Sequence, residues 1–354
     1  MNFWKWVGGA IACASLAFAA PLSANARSDA LDVAVKADKF GAVTSILVLR
    51  DGQPIFEEYY RDTNAETLRN TRSVTKTITA ALLGKAIEDG AIASLDVPVL
   101  QFFPDSQVAN ADPRKSAMTL RNLVTMTGPL ECDDWNSFSR GNEERMYLVE
   151  DWAQFFLDLP IGAAPPWEPA AKDRPFGKRF SYCTAGVFTL GRIVEIATGR
   201  ELEDYARETL FDPIGIGEVR WAFNRLGQAQ GGGGLEMAAR DLARFGELYR
   251  KSGAKDAKQV LAQEFVAAST EPRARVRDGL DYGYLWWLGE VGPADARSRA
   301  WMMNGTGGNR VAVLPDLDAT VIITTTNFRR GDAHQLTDAI LSDHVVPMLQ
   351  DGAD

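Results

Sequence analysis

Segments with the pattern of β-strands lie near both ends of the chain, whereas the long middle region has the pattern of helices. Residues 44–50 and 53–60 flank Asp51-Gly52, a dipeptide typical of a two-residue hairpin turn. Four further strand-like segments near the other end are 282–290, 299–303, 310–314 and 319–326. The sequence therefore predicts an α+β fold, in which both chain ends build one antiparallel sheet around a mainly helical insertion.

This pattern divides the chain into three regions. Residues 1–26 are predicted to be a signal peptide. Residues 27–72 and 271–354 are predicted to form the sheet domain, covered by helices over 30–40 and 333–349. Residues 73–270 are predicted to form a mainly helical domain, with the active site at its junction with the sheet domain.

The first 26 residues have the features of a secretory signal. Lys5 is basic, residues 7–20 are apolar, and Ala24-Asn25-Ala26 is a small-residue cleavage site. The apolar run is too short and too rich in glycine and alanine for a membrane span. We therefore expect cleavage near Ala26, a periplasmic or secreted protein, and no stable membrane anchor.

The charge balance excludes one class of partner. The chain has 38 Lys and Arg against 47 Asp and Glu, a net charge of −9. An acidic chain is a poor match for nucleic acid or for an anionic membrane surface. We expect no nucleic-acid partner, and the charge does not identify a substrate.

Cysteine usage leaves two alternatives open. Of three cysteines, Cys13 lies in the predicted signal, and Cys132 and Cys183 remain. In an oxidising compartment an even pair predicts a disulfide. The alternative is two separate buried thiols, since cysteine packs as a small apolar residue.

The residues Ser73-Val-Thr-Lys76 open an apolar helical segment that ends at Gly90. Residues three apart share a helix face, so the Ser73 hydroxyl and the Lys76 amine can meet. A desolvated, partly neutral lysine could accept the serine proton and make the hydroxyl a nucleophile. The same spacing at Ser252 and Lys255 lies in a polar stretch, which we interpret as a solvated loop.

Other catalytic chemistries lack residues to carry them. The only histidines, His334 and His344, both lie in the predicted C-terminal helix. The chain has no His-Glu-x-x-His, Cys-x-x-Cys or Gly-x-Ser-x-Gly motif. We therefore predict no metal and no cofactor, and a serine mechanism that uses a lysine or tyrosine base.

Two further segments fit that chemistry. Tyr182 precedes another apolar helix, and beside a Ser/Lys pair its phenolate is a plausible base, although alone it would be interpreted as a buried aromatic. The glycine-rich segment 304–309 follows a strand and could leave backbone N–H groups free for a substrate. An ordinary glycine turn is the alternative.

Together these segments resemble the serine beta-lactamase-like hydrolases, in the branch shared by class C beta-lactamases, DD-peptidases, esterases and 6-aminohexanoate-dimer hydrolases. The resemblance covers nearly all of the chain after the signal, in order. It rests on residues 71–77, 95–104, 120–128, 182–184 and 232–246.

The resemblance implies a role for each matching residue. Ser73 would be the nucleophile, Lys76 its activator, and Tyr182 the general base that later protonates the leaving group. The backbone N–H groups of Ser73 and Thr306 would form the oxyanion hole. The substrate-binding residues would be Thr184, Asn304, Gly305 and Gly307.

Two departures from the family pattern bear on the substrate. Met303-Asn304-Gly305 aligns with a Lys-Thr-Gly motif but has no cation, and Thr184 replaces the amide usual in lactamases. These changes argue against a beta-lactamase and favour an ester or amide hydrolase. We therefore expect an exported serine hydrolase that cleaves a small ester or amide through an acyl-enzyme, with a small-molecule ester, amide or peptide as its partner. The alternatives are a peptidoglycan DD-peptidase or weak beta-lactamase, and a catalytically silent protein that binds cell-wall or peptide ligands.

Overall fold

Both chain ends build one large sheet, as the strand patterns predict. The computed structural model describes residues 24–163 and 170–351, so most of the predicted signal peptide lies outside the described residues. The strands are β1 (Val43–Arg50), β2 (Gln53–Tyr59), β3 (Arg69–Asn70), β4 (Arg220–Trp221), β5 (Leu235–Met237), β6 (Ala254–Lys255), β7 (Lys258–Gln259), β8 (Ala274–Arg277), β9 (Leu280–Tyr282), β10 (Trp287–Val291), β11 (Ser298–Gly305), β12 (Asn309–Leu314) and β13 (Ala319–Thr325).

Most helices lie between the two groups of strands. They are α1 (Ala24–Lys36), α2 (Thr75–Glu88), α3 (Pro113–Ser116), α4 (Leu120–Val124), α5 (Glu143–Met146), α6 (Trp152–Asp158), α7 (Thr184–Thr198), α8 (Leu202–Ala206), α9 (Asp212–Ile214), α10 (Ala239–Arg250), α11 (Gln263–Ser269), α12 (Ala333–Ile340) and α13 (Val346–Asp351). One π-helical turn joins α8 to α9 and another joins α12 to α13. Among the described helices, none has the length and apolarity needed to cross a bilayer.

The large sheet has eight antiparallel strands in the order β2-β1-β13-β12-β11-β10-β9-β8. Strand β1 pairs with β13, so the first and the last of the strands in the described residues are neighbours. The predicted α+β architecture with an antiparallel sheet and flanking helices is therefore confirmed. The division at residues 72 and 271 into two domains stays a prediction.

The sheet has a hydrophobic core on each face, because side chains alternate along each strand. On one face Ile46 and Val48 pack in a cluster with residues of α1 and of the C-terminal helices. On the other face Leu47 packs in a cluster that includes α2, α7 and α10. The site described below lies where this second cluster meets the end of β11.

Several predicted elements differ from the structure. The helix predicted over 30–40 spans Ala24–Lys36, and the one predicted over 333–349 is interrupted by the π-helical turn Leu341–Val345. The sequence from Leu235 to Arg250 has the pattern of one helical run. The helix begins only at Ala239, because Leu235–Met237 forms β5 between β3 and β4.

The strand predicted over 282–290 is interrupted, since Gly283 donates a backbone hydrogen bond to the Trp286 carbonyl at 2.9 Å and closes a turn between β9 and β10. A Cβ atom at Gly283 would lie 2.0 Å from the Ser269 carbonyl oxygen, so the close approach of this turn to the end of α11 requires glycine.

Candidate active site

Ser73 lies in a tight turn between β3 and α2. This turn is a single 3₁₀ segment, Arg72–Val74. Arg72 adopts a left-handed conformation with φ of 58°, and its N–H donates to the Asn70 side chain at 2.9 Å. Residues other than glycine adopt this conformation uncommonly, and in this chain they do so mostly in tight turns such as the one at Asp51. The turn leaves the Ser73 side chain partly exposed at the start of the helix.

The structure brings Lys76 to Ser73, as the spacing predicts. The Lys76 amine donates to the Ser73 hydroxyl at 2.9 Å and to the Gly232 carbonyl at 2.5 Å. Only 1% of Lys76 is exposed. Burial lowers the pKa of the Lys76 amine, and the nearby carboxylates of Glu143 and Asp134 act in the opposite direction. An amine with a lowered pKa next to a hydroxyl can accept its proton.

The glycine run 231–234 lies directly against α2, whereas the sequence pattern alone favours only a flexible entry into a helix. The Thr79 hydroxyl donates to the Gly231 carbonyl at 2.6 Å, and the Leu235 N–H donates to the Thr75 hydroxyl at 3.2 Å. A Cβ atom at Gly232 would lie 2.8 Å from Cγ2 of Thr184. Glycine therefore lets the backbone approach closely enough to accept from Lys76.

Tyr182 lies beside the same pair, with its ring centroid 4.9 Å from the Lys76 amine. Burial raises the pKa of the Tyr182 phenol, and the Ser73 hydroxyl nearby acts to lower it. The phenol is therefore protonated at neutral pH in the absence of substrate. Ser73, Lys76 and Tyr182 thus meet at one place, although their catalytic roles stay predictions.

A disulfide joins Cys132 to Cys183, the residue next to Tyr182, so the first of the two cysteine alternatives is confirmed. The segment after Cys132 is hydrogen-bonded to the segment that carries Tyr182. The Asp134 N–H donates to the Tyr182 carbonyl at 2.9 Å, and the Thr184 N–H donates to the Asp134 carboxylate at 2.7 Å. A covalent bond and two hydrogen bonds therefore hold Tyr182 in place.

Asp134 is a charged neighbour of the site that the sequence analysis missed. Its carboxylate also accepts from the Glu143 N–H at 2.9 Å. Burial raises the pKa of Asp134 to about 6, and the charge of Lys76 acts in the opposite direction. Its proximity to Lys76 depends on contacts between segments far apart in the chain, so no local sequence pattern points to it.

Aromatic rings surround Tyr182. Trp135 stacks on Tyr182 with the ring centroids 5.6 Å apart and the planes 6° from parallel. Trp287 lies 5.5 Å from Tyr182 and 6.0 Å from Trp135, between centroids. Phe180 packs against Trp135 at 5.7 Å. One side of the site is therefore an aromatic wall, which the sequence analysis did not predict.

The end of β11 approaches the turn that carries Ser73, on the other side of the site. A Cβ atom at Gly305 would lie 1.8 Å from the Thr71 carbonyl oxygen, so only glycine allows this contact. Thr306 follows in an exposed turn, and Gly307 has a φ of 88°. Within residues 24–163 and 170–351, the Thr306 N–H has no backbone or side-chain acceptor. The structure therefore brings residues 305–307 to the turn that carries Ser73.

The side chain of Asn304 is directed elsewhere. Its carbonyl oxygen accepts from Nε of Arg310 at 2.8 Å, and the buried Arg310 is ion-paired with Asp338 of α12. Met303, one residue earlier on β11, is buried in the core cluster that contains Tyr182. Because side chains alternate along a strand, Asn304 belongs to the opposite face of the sheet. The structure does not bring its side chain to Ser73.

Thr184 is the last of the predicted substrate-binding residues, and His344 is one of the two histidines that the sequence analysis assigned to the C-terminal helix. Thr184 is fully buried at the start of α7, and its hydroxyl has no hydrogen-bond partner within the described residues. His344 packs edge-on against Phe40 at 5.7 Å in the layer of terminal helices.

One group of carboxylates has ligand atoms close enough to hold a metal ion. It comprises Glu195, Glu201 and Glu203, near the C-terminal end of α7. Glu195 already accepts from the Leu202 N–H at 3.1 Å and pairs with Arg192. These contacts are typical of a carboxylate that caps a helix end.

Solved structures with the same fold include several hydrolases. A Bacillus anthracis protein assigned as a 6-aminohexanoate-dimer hydrolase has a TM-score of 0.71 and 18% identity, over 90% of this chain and 83% of that chain. A class C beta-lactamase from Rhodobacter sphaeroides has a TM-score of 0.62 and 18% identity, over 90% and 99%. EstCE1, a hydrolase with promiscuous acyltransferase activity, has a TM-score of 0.69 and 16% identity, over 90% and 98%. At these identities the likeness shows the fold.

Sequence comparison supports the same relationship. Penicillin-binding protein 4 of Amycolatopsis lactamdurans is 29% identical over 144 residues, which are 41% of this chain and 33% of that protein. The match thus spans about a third of the length of this relative. The beta-lactamase family model matches residues 36–344, which include every residue of the site described above. The chain therefore belongs to the beta-lactamase family of serine hydrolases.

Proposed function

We propose that this protein is a serine hydrolase that cleaves a small, uncharged ester or amide through an acyl-enzyme. The observation that carries this proposal is the 2.9 Å contact between the buried Lys76 amine and the Ser73 hydroxyl. Lys76 would accept the Ser73 proton as the hydroxyl oxygen attacks the substrate carbonyl carbon. The carbonyl oxygen would become an oxyanion, stabilised by the N–H groups of Ser73 and Thr306.

Tyr182 would then supply the proton that the leaving group needs. Its phenol, protonated because burial raises its pKa, would donate to the leaving oxygen or nitrogen as the tetrahedral intermediate collapses. The products of this half-reaction are an alcohol or amine and an acyl group on Ser73. As water attacks the acyl-enzyme, the Tyr182 phenolate would take a proton from the water and Lys76 would return its proton to the Ser73 oxygen. The acid would be released, and all three residues would regain their starting protonation states.

The environment of Met303 favours this substrate class over beta-lactams and D-Ala-D-Ala peptides, which carry a carboxylate. Met303 is 1% exposed in the apolar core. An ammonium at this position is the group that we expect to hold a beta-lactam carboxylate. Asp134 and Glu143 add negative charge near Lys76, which further disfavours an anionic substrate.

Steady-state assays test whether uncharged esters are better substrates than beta-lactams and D-Ala-D-Ala peptides. We expect short esters such as p-nitrophenyl acetate to be hydrolysed with a higher kcat/KM than nitrocefin or a D-Ala-D-Ala peptide, and Ser73→Ala to abolish the activity. Efficient turnover of nitrocefin would overturn the order. Absence of any turnover, together with ligand binding that survives in Ser73→Ala, would support the catalytically silent alternative.

We also propose that the protein is exported, with cleavage near Ala26. The support is the signal-like composition of residues 1–26 and the Cys132–Cys183 disulfide, since such bonds persist in oxidising compartments. Expression of the full chain followed by N-terminal sequencing of the periplasmic fraction should give a sequence that starts at Arg27. Uncleaved protein confined to the cytoplasm would contradict export.

A further inference from the structure

Trp135 is a large aromatic side chain that is mostly in solvent although it stacks on Tyr182. It is 60% exposed, whereas Tyr182 is 8% exposed. The indole covers the Tyr182 ring with its plane 6° from parallel, and the Trp287 ring with its plane 24° from parallel. Since these contacts use only part of the indole, an open aromatic surface remains next to the candidate proton donor.

The backbone on both sides of Trp135 is fixed, so this surface exists before any ligand binds. Cys132 is covalently joined to Cys183. The Asp134 N–H donates to the Tyr182 carbonyl at 2.9 Å, and the Trp135 N–H donates to the Asp133 side chain at 3.0 Å. A preformed binding surface costs a ligand less ordering entropy than a mobile loop would.

The charges around this surface select against anions. The carboxylates of Asp134 and Glu143 both act on Tyr182 and Lys76, and each makes removal of a proton from these groups harder. A negative charge on the ligand would be repelled by the same carboxylates. The surface therefore fits a flat group without a negative charge that stacks on the indole.

We propose that Trp135 and Trp287 form a leaving-group subsite for uncharged aromatic alcohols or amines. This assignment rests on the proposed function, in which Tyr182 protonates the leaving group. A leaving group that receives the Tyr182 proton must lie next to the Tyr182 hydroxyl. Trp135 and Trp287 pack against the ring that carries this hydroxyl, with centroids 5.6 Å and 5.5 Å from its centroid.

Acetate esters test the subsite because every one of them gives the same acetyl-enzyme. Their kcat/KM values therefore differ only through recognition and departure of the alcohol. The substrates are benzyl acetate, which is flat, cyclohexylmethyl acetate, which has similar apolar size but is not flat, and ethyl acetate. The variants are Trp135→Leu and Trp135→Phe, with Phe138→Leu as the matched control. Phe138 is 87% exposed on the same loop.

The readout is the ratio of kcat/KM for benzyl acetate to that for cyclohexylmethyl acetate, which cancels any common effect on Tyr182. Trp135→Leu should lower this ratio by about 3- to 10-fold, the range expected for one aromatic stacking contact. Trp135→Phe should lower it less, and Phe138→Leu should leave it unchanged. An unchanged ratio in Trp135→Leu would overturn the subsite, while Ser73-dependent hydrolysis of all three esters would leave the proposed function intact.

A binding experiment covers the remaining outcome, in which wild-type protein hydrolyses none of the esters and the proposed function fails. Saturation-transfer NMR with benzyl alcohol then tests the subsite alone. Signal transfer in wild type that is lost in Trp135→Leu supports it. Equal transfer in both proteins, or none in either, overturns it.

Discussion

The Lys76 amine lies 2.5 Å from the Gly232 carbonyl oxygen, across a sequence separation of 156 residues. This contact orients the amine from outside its own helix, while the Ser73 hydroxyl is its second partner. A side chain at residue 232 would collide with Thr184, so close backbone approach and amine position depend on the same glycine.

Replacement of Lys76 by methionine should lower the activity of the protein and raise its stability. Turnover should fall by about 100-fold or more, because a positioned acid–base group is lost. The free energy of unfolding at pH 7 should rise, because an apolar side chain of similar length replaces a fully buried amine. Initial rates and urea unfolding of both proteins measure the two effects.

The gain in stability should depend on pH. The pKa of Lys76 is lowered in the folded protein from its usual value of 10.5, so between the two values the unfolded chain binds more protons than the folded one. Wild-type stability therefore increases with pH in this window, and the advantage of Lys76→Met shrinks as pH approaches the upper limit. A Lys76→Met protein that keeps most of its activity would remove the lysine from the mechanism.

Gly232→Ala should lower kcat/KM by roughly 10-fold, because the new Cβ would displace the carbonyl that orients Lys76. Gly233→Ala is the matched control, since the nearest atom to a Cβ at that position is 4.0 Å away. Assays with p-nitrophenyl acetate on both variants measure the difference. Equal activity of the two variants would show that the Gly232 contact does not position the amine.

Asp134 should make stability depend on acid pH. Its folded pKa of about 6 lies above its usual value of 3.8, so its stabilising contribution is complete below about pH 4 and is lost as pH rises through about 6. From pH 4 to 7 wild type should lose about 2 kcal/mol relative to Asp134→Asn. The asparagine side chain has one acceptor oxygen in place of two, so one backbone N–H loses its partner, which adds an offset that does not change with pH.

Urea unfolding of both proteins at several pH values measures this slope. An identical pH dependence in wild type and Asp134→Asn would mean that the carboxyl titrates as an exposed group does.

Loss of the Cys132–Cys183 disulfide should destabilise the protein by about 2–4 kcal/mol, because the bond closes a loop with a sequence separation of 51. It should also lower activity, since the bond holds the Asp134 segment beside Tyr182. Denaturant unfolding with and without reductant measures the first effect. The Cys132→Ala/Cys183→Ala double variant should have the same free energy of unfolding as reduced wild type, and reductant should not change it. Unchanged stability of wild type after complete reduction would contradict this account.

Local sequence patterns predicted the elements that depend on local chemistry. The Asp51-Gly52 turn closes the β1–β2 hairpin, and α7 ends at Gly199, which has a φ of 68°. The i, i+3 spacing predicted the contact between Lys76 and Ser73, which the structure contains. The prediction of Tyr182 as a site residue required the family resemblance as well, because a tyrosine before a helix is usually a buried aromatic.

The parts that sequence did not predict depend on contacts between distant segments. Asp134, Trp135, Trp287 and Gly232 join the site from three separate segments, and each resembles an ordinary loop or strand residue in its own neighbourhood. Leu235–Met237 was predicted as helix, because three residues are too few to distinguish the two periodicities. The face of Asn304, in contrast, could have been predicted from alternation along β11.

The most direct test of the central claim is the intact mass of the protein after incubation with a fluorophosphonate, for wild type and Ser73→Ala in parallel. An activated serine attacks the phosphorus and releases fluoride, which leaves one covalent adduct. We predict a single adduct on wild type and none on Ser73→Ala. An unmodified wild-type protein, or an adduct that persists in Ser73→Ala, would contradict the assignment of Ser73 as the nucleophile.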